Sequence, residues 1–101
     1  MNDLIDRIKE DISGMWVNSK YEMALSMPPY FTFFFTDKKT DETIDGNYEI
    51  IQPENQFILL RLINSDDKSI QDFVIKDLLI FEQLILISEG EEIHFVNEIP
   101  E

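Results

Sequence analysis

The sequence predicts a mainly β fold: a short N-terminal helix, then an antiparallel meander that closes into a small barrel. Three observations carry this expectation. Apolar periodicity is helical only near the N-terminus; β-compatible runs then recur about every eight to twelve residues; and the gaps between them have hairpin length. With 101 residues, the chain is predicted to form one domain over 1–101, with a helix at about 3–12 and strands from about 15 to 97, because a chain of this size supports a single core.

Each element follows from its residues. Leu4, Ile5, Ile8 and Ile12 lie at helical spacing among Asp6, Arg7, Lys9, Glu10 and Asp11, giving one apolar stripe on a charged helix. Asn2 or Asp3 can cap its start and Gly14 can end it. Met15 to Leu25 reads as a β-compatible stretch with Trp16, Val17 and Tyr21, and Met27-Pro28-Pro29 interrupts the pairing because proline has no N–H to give. In Tyr30 to Thr36, Phe31, Phe33 and Phe35 alternate with Thr32, Phe34 and Thr36, which predicts a strand with one aromatic face.

Asp37 to Glu42 forms a solvated turn, and Thr43 to Gln52 a further strand, in which Asp45-Gly46 is either a tight turn or a close backbone approach. Pro53-Glu54-Asn55 turns the chain into Phe57 to Ile63, and Asn64 to Lys68 turns it again into Ile70 to Lys76. The last strands, Leu84 to Ser88 and Ile93 to Val96, are joined across Glu89-Gly90-Glu91-Glu92 as a hairpin.

Composition narrows the function classes. The chain is 44% hydrophobic with eight Phe, three Tyr and one Trp, and has only three Gly and four Pro, which is globular composition. Its formal charge is −13, spread along the chain: residues 1–50 hold ten acids and five bases, residues 51–101 eleven acids and three bases. That charge opposes contact with nucleic-acid phosphates or anionic lipid and favours encounter with a basic protein. Excess carboxylate also simply keeps a small apolar domain in solution. The N-terminus lacks the basic start and apolar stretch of a secretory signal, and no apolar run reaches membrane-spanning length, so a cytoplasmic location is expected.

The residues suited to catalysis are sparse. With no Cys and one histidine, His94, between Ile93 and Phe95 in a predicted strand, neither thiol chemistry nor a histidine metal pair is available. Asp41 to Gly46 has acids at the first and fifth positions of a calcium loop and glycine at the sixth, but Thr43 occupies the third position and Gln52 the twelfth. The acid pairs Asp66-Asp67 and Glu91-Glu92 fall in or beside turns, where water solvates them, and Gly14, Gly46 and Gly90 are too dispersed for a phosphate loop. The expectation is a non-enzyme with neither cofactor nor metal.

The order of segments now resembles a known family. A short helix leading into Gly14-Met15-Trp16, followed by a meander through Gly46-Asn47-Tyr48, Phe73-Val74-Ile75, Leu84-Ile85-Leu86 and Ile93-His94-Phe95, resembles the small bacterial lipocalin-like domains of the calycin superfamily. The resemblance covers roughly residues 3–97 and is sharpest in Gly14-x-Trp16. It implies a small lipocalin-like barrel, with Trp16 plugging one end against a basic side chain from the closing strand. Asn97 stands where that base is sought, and no Lys or Arg follows Lys76. It also implies an interior that either holds a small apolar ligand or is merely packed.

Two candidate surfaces follow. Trp16, Tyr21, Phe33, Phe35, Tyr48 and Phe57 would line a ligand pocket or fill the core. Residues 57–63 and 84–87 are apolar on both strand faces, so an outer face through Ile58, Leu60, Leu62, Ile85 and Ile87, rimmed by Glu89, Glu91 and Glu92, would meet a protein partner or a second copy of the chain. The expected function is a non-catalytic lipocalin-like binding module for a protein or a small apolar ligand. The alternative is an acidic inhibitor or immunity protein that neutralises a basic partner such as a nuclease toxin.

Overall fold

The computed structural model describes residues 3–53, 57–79 and 82–98, so the predicted cap Asn2 and the turn residues Glu54 and Asn55 lie outside the described residues. Helix α1 (Asp3–Asp11) is followed by strands β1 (Gly14–Val17), β2 (Tyr21–Leu25), β3 (Thr32–Asp37), β4 (Glu42–Ile51), β5 (Leu59–Asn64), β6 (Ile70–Leu79), β7 (Gln83–Ser88) and β8 (Glu91–Asn97). Each strand pairs antiparallel with the next, and β8 pairs with β1, so the sheet closes on itself in the order β1 to β8. The expected fold class is the one observed. Among the described residues, no strand is left without a partner on each side, although β1 and β8 meet over only two residue pairs.

The seam between β1 and β8 is short, with Trp16 opposite Asn97 and Val17 opposite Val96. Two bonds extend it: the Glu98 amide donates to the Met15 carbonyl at 2.9 Å, and Asn18 Nδ2 donates to the His94 carbonyl at 3.1 Å. Asn18 has a second task. Its Oδ1 accepts from the amides of Lys20 at 2.8 Å and Tyr21 at 2.7 Å, bending the chain tightly back. The single β-like stretch expected from Met15 to Leu25 is therefore two strands, split by an Asn18 turn.

Inward-facing positions alternate along every strand. Trp16, Met23, Leu25, Phe33, Tyr48, Ile50, Leu60, Leu62, Phe73, Leu84, Leu86 and Phe95 are buried together in one cluster with Ile8 and Ile12 of the helical segment. An eight-stranded barrel is just wide enough to be filled by its own side chains, and these residues fill it. Because Ile8 and Ile12 join the same cluster as the inward strand residues, α1 closes one end of the barrel and leaves the outer face of the sheet uncovered. Leu4, at the edge of the predicted stripe, is 55% exposed.

The phase of β5 corrects one expectation. Leu60 and Leu62 were expected on an outer face, yet they point inward at 0% and 2% exposure, leaving Leu59, Arg61 and Ile63 outside. A strand that is apolar on both sides gives no periodic signal for which side is in. Ile85 and Ile87 do face outward, half-buried, because Leu84 and Leu86 are the buried pair of β7.

Strand β4 runs unbroken through Asp45-Gly46, so the close backbone approach is what occurs. A Cβ at Gly46 would lie 1.9 Å from the Ile63 carbonyl oxygen and 2.9 Å from the Ser65 nitrogen, and both neighbours are backbone with no room to yield. The Ser65 amide and hydroxyl lock this crossing by donating to the Asp45 carbonyl at 2.9 Å and to Asp45 Oδ1 at 2.8 Å. Gly46→Ala is accordingly expected to lower unfolding free energy by about 3 kcal/mol. Urea denaturation of the variant checks this, and a loss within experimental error would refute the close approach.

Candidate functional site

The two ends of the barrel differ. At the helix end, the ring of Trp16 is fully buried and its Nε1–H donates to the carbonyl of Ile12 at 2.7 Å. That carbonyl is one of the helix-terminal acceptors that lack a partner in the helix itself, so the indole caps the helical segment while sealing the barrel. Asn97 lies opposite Trp16 in the β1–β8 register.

Tyr48 belongs to this sealed end. Its hydroxyl donates to the Ser26 carbonyl at 2.6 Å, and burial pushes its ionisation up to about 12 from an ordinary value near 10. Phe31 packs edge-on against it, with ring centroids 5.6 Å apart, and Lys9 Nζ sits 5.7 Å from the Phe31 centroid. A cleft of about 240 Å³ opens here between α1 and β4, lined by Lys9, Phe31, Tyr48, Glu49, Ile50 and Ile51.

Among the described residues, no helix covers the opposite end. Tyr21, Phe35 and Phe73 form its floor: the Tyr21 and Phe35 rings are 5.1 Å apart and tilted, and Phe35 stacks against Phe73 at 6.5 Å. With Ile93, Gln71, Ser88, Glu89 and Glu91 they line a solvent-open mouth of about 180 Å³. Its acidic rim comes from the β7–β8 hairpin. Ser88 pairs with Glu91, and the two residues between them, Glu89 and Gly90, have φ of +52° and +82°. That is the left-handed pair of a type I′ turn, and it places the carboxylates on either side of the apex.

The mouth gathers residues from both predicted sets and leaves others out. Tyr21 and Phe35 come from the aromatic set, and Glu89 and Glu91 from the acidic rim. Trp16, Phe33 and Tyr48 are core, each at most 1% exposed, while Phe57 is 74% exposed and belongs to no pocket wall with them. Ile58 packs against the core from its margin. Sequence reasoning missed Phe73, Gln71, Ser88 and Ile93 as mouth residues. The alternation of Gln71 and Phe73 with Asp72 could have revealed the first two.

The outer face carries polar ladders. Arg61 forks onto Asp72 through Nε at 2.8 Å and Nη2 at 3.0 Å, and that hydrogen bonding holds the Asp72 carboxyl below its usual range. Glu92 is engaged by Lys76 and by His94 Nε2, the latter at 3.1 Å, and hydrogen bonds from Lys76 and then His94 depress its ionisation. His94 lies in an open cleft of about 250 Å³ beside Glu91 and Glu92, and its ring hydrogen-bonds Glu92. Among the described residues, no group of three or more His, Cys, Asp or Glu side chains converges on one point, and no helix is long and apolar enough to cross a membrane.

Comparison with protein-family models, with curated proteins and with solved structures yields no match to this chain.

Two outcomes are expected at these ends. Tyr48→Phe removes the donor to a carbonyl left without a partner and should cost about 1–2 kcal/mol at neutral pH. Because the folded protein holds Tyr48 at about 12, above its unfolded value, the stabilisation is complete below about pH 10 and falls away as pH rises through 12. The gap between the two proteins in denaturant titrations should therefore narrow between those pH values; a constant gap would contradict the assignment. At the open end, Glu89→Gly relieves a side chain held at positive φ and should stabilise the hairpin by about 1 kcal/mol, seen as a higher urea midpoint.

Proposed function

We propose that this chain is a non-catalytic, lipocalin-like binding module whose object is a basic protein. The observation that carries the reading is a buried core cluster beside a solvent-open mouth at the end away from α1, where aromatic side chains meet two carboxylates. The central layer of Trp16, Met23, Leu60, Leu62, Leu84, Leu86 and Phe95 is buried and lines none of the clefts described above.

The lipocalin-like relation is supported by the Gly14-x-Trp16 junction after a short helix, with the indole sealing one end of an antiparallel barrel. Asn97 stands opposite it in the β1–β8 register where the base is expected, and the Trp16 N–H donates to the Ile12 carbonyl. Non-catalysis is supported by His94, whose one carboxylate partner is shared with Lys76 and whose side chain is 64% exposed. A base in that setting has neither a positioned nucleophile nor a dry pocket.

The formal charge of −13 favours a basic partner by raising the rate of encounter. An acidic inhibitor or immunity protein that neutralises a basic toxin is the narrower form of the same reading. Native mass spectrometry of the protein isolated from its own source at low ionic strength should show a complex with a basic protein that dissociates as salt is raised. A small hydrophobic adduct that survives high salt would overturn this reading in favour of ligand storage, and a bare chain would overturn it outright.

A further inference from the structure

We infer that the open mouth is a receptor for an arginine side chain presented by the partner. The inference rests on the binding reading above and adds the site and the group recognised. A guanidinium is planar, weakly hydrated and always charged; it stacks on aromatic faces and forks onto carboxylates. The mouth offers both counterparts. Tyr21 and Phe35 are half-buried and present apolar ring surface to solvent, buried Phe73 closes the floor beneath Phe35, and Glu89 and Glu91 line the same mouth.

The state of those carboxylates strengthens the case. Among the described residues, every other element of this hairpin's charge is committed: Glu92 is taken by Lys76 and His94. Glu89 and Glu91 have no hydrogen bond or ion pair from any described side chain, so they are available to a ligand. No Lys or Arg lines the mouth. Lys20, Lys38 and Lys39 line a separate cleft that shares Tyr21 with the mouth and includes Asp37, and Lys38 Nζ donates to the Asn18 carbonyl at 2.7 Å.

Size matches as well. A volume of about 180 Å³ suits one long side chain and is below the few hundred Å³ of a drug-sized ligand site. The aliphatic stem would lie against Ile93 and the rings while the guanidinium reaches the rim. A lysine would lose the fork onto the two carboxylates, so arginine is the group the geometry points to.

The test uses the full chain and three peptides, acetyl-Gly-Arg-Gly-amide and its lysine and citrulline counterparts, followed by amide and aromatic NMR shifts at low salt. The arginine peptide should move the signals of Tyr21, Phe35, Phe73 and Ile93, the lysine peptide should do so more weakly, and the neutral citrulline isostere should not. E89Q/E91Q changes two exposed side chains and should weaken arginine binding by about fivefold or more. The control D6N/E10Q removes the same charge from exposed positions on α1 at the sealed end and should leave binding unchanged.

Equal shifts from citrulline, shifts mapping elsewhere, or an equal loss in the α1 control would each overturn the proposal. Lysine binding as tightly as arginine would overturn the choice of guanidinium. If a basic partner is captured from the source yet E89Q/E91Q binds it as well as the wild type does, the mouth assignment fails while the binding module stands.

Discussion

The indole of Trp16 is where the helix, the barrel and the seam between first and last strands depend on one another. Its ring fills the end of the barrel, and its N–H satisfies the Ile12 carbonyl at the end of the helical segment. It also sits on β1, in the two-residue register that closes the sheet against β8. Without the ring, Ile8 and Ile12 would lose the surface they bury against, and the carbonyl would be left unpaired beneath them. Such a loss combines a cavity with an unsatisfied polar group, and each alone is among the larger destabilising effects known. A short helix of nine residues has little stability of its own in water; its order is borrowed from this contact.

The same sealing creates the asymmetry on which the functional reading stands. A closed meander has two ends, and this chain has one helix with which to cover them. At the covered end, the polar atoms of Trp16 and Tyr48 are paired with backbone carbonyls, and no buried side-chain nitrogen or oxygen lacks a partner among the described residues. At the other end, Tyr21 and Phe35 lie half-buried over Phe73, and the adjacent hairpin supplies two carboxylates that no described side chain pairs. Closing that mouth with apolar side chains would bury Glu89 and Glu91 unpaired at high cost, so solvent access and acidity at this end go together.

Much of the fold was legible because the residue pattern has two clear periods. The helix, the β3 strand, the turn at Asn64 to Lys68 and the last hairpin all read from spacing and turn chemistry, but Leu4 of the expected stripe is exposed, Phe31 of the expected aromatic face precedes β3 at positive φ, and Glu91 and Glu92 of the expected loop belong to β8. What failed had physical causes. Asn18 is an ordinary polar residue in a β-like stretch, and only its bonds to Lys20 and Tyr21 reveal a turn. In β5, Leu59, Leu60, Leu62 and Ile63 gave no phase; the sense was set from outside by Gly46, where the bare backbone meets Ile63, and by pairing with β4 and β6. The aromatic set divided between core and mouth because the ends of a tilted barrel are defined by strand stagger, which no local pattern records.

The outer sheet face shows why charge alone does not locate a binding surface. Arg61 and Asp72 neutralise each other across β5 and β6, and Lys76 neutralises Glu92 across β6 and β8. These exposed pairs add little to stability, but they cancel local field. Ile51, Leu59, Val74 and Ile87 lie opposite one another in successive registers, yet each is only half-exposed, as aliphatic surface commonly is. Specific recognition needs a group whose desolvation is compensated in one place and not elsewhere. Paired charges offer a visitor nothing it can improve upon. In the proposed reading, the mouth does, because no described side chain pairs Glu89 or Glu91 and partly exposed aromatic surface lies beside them.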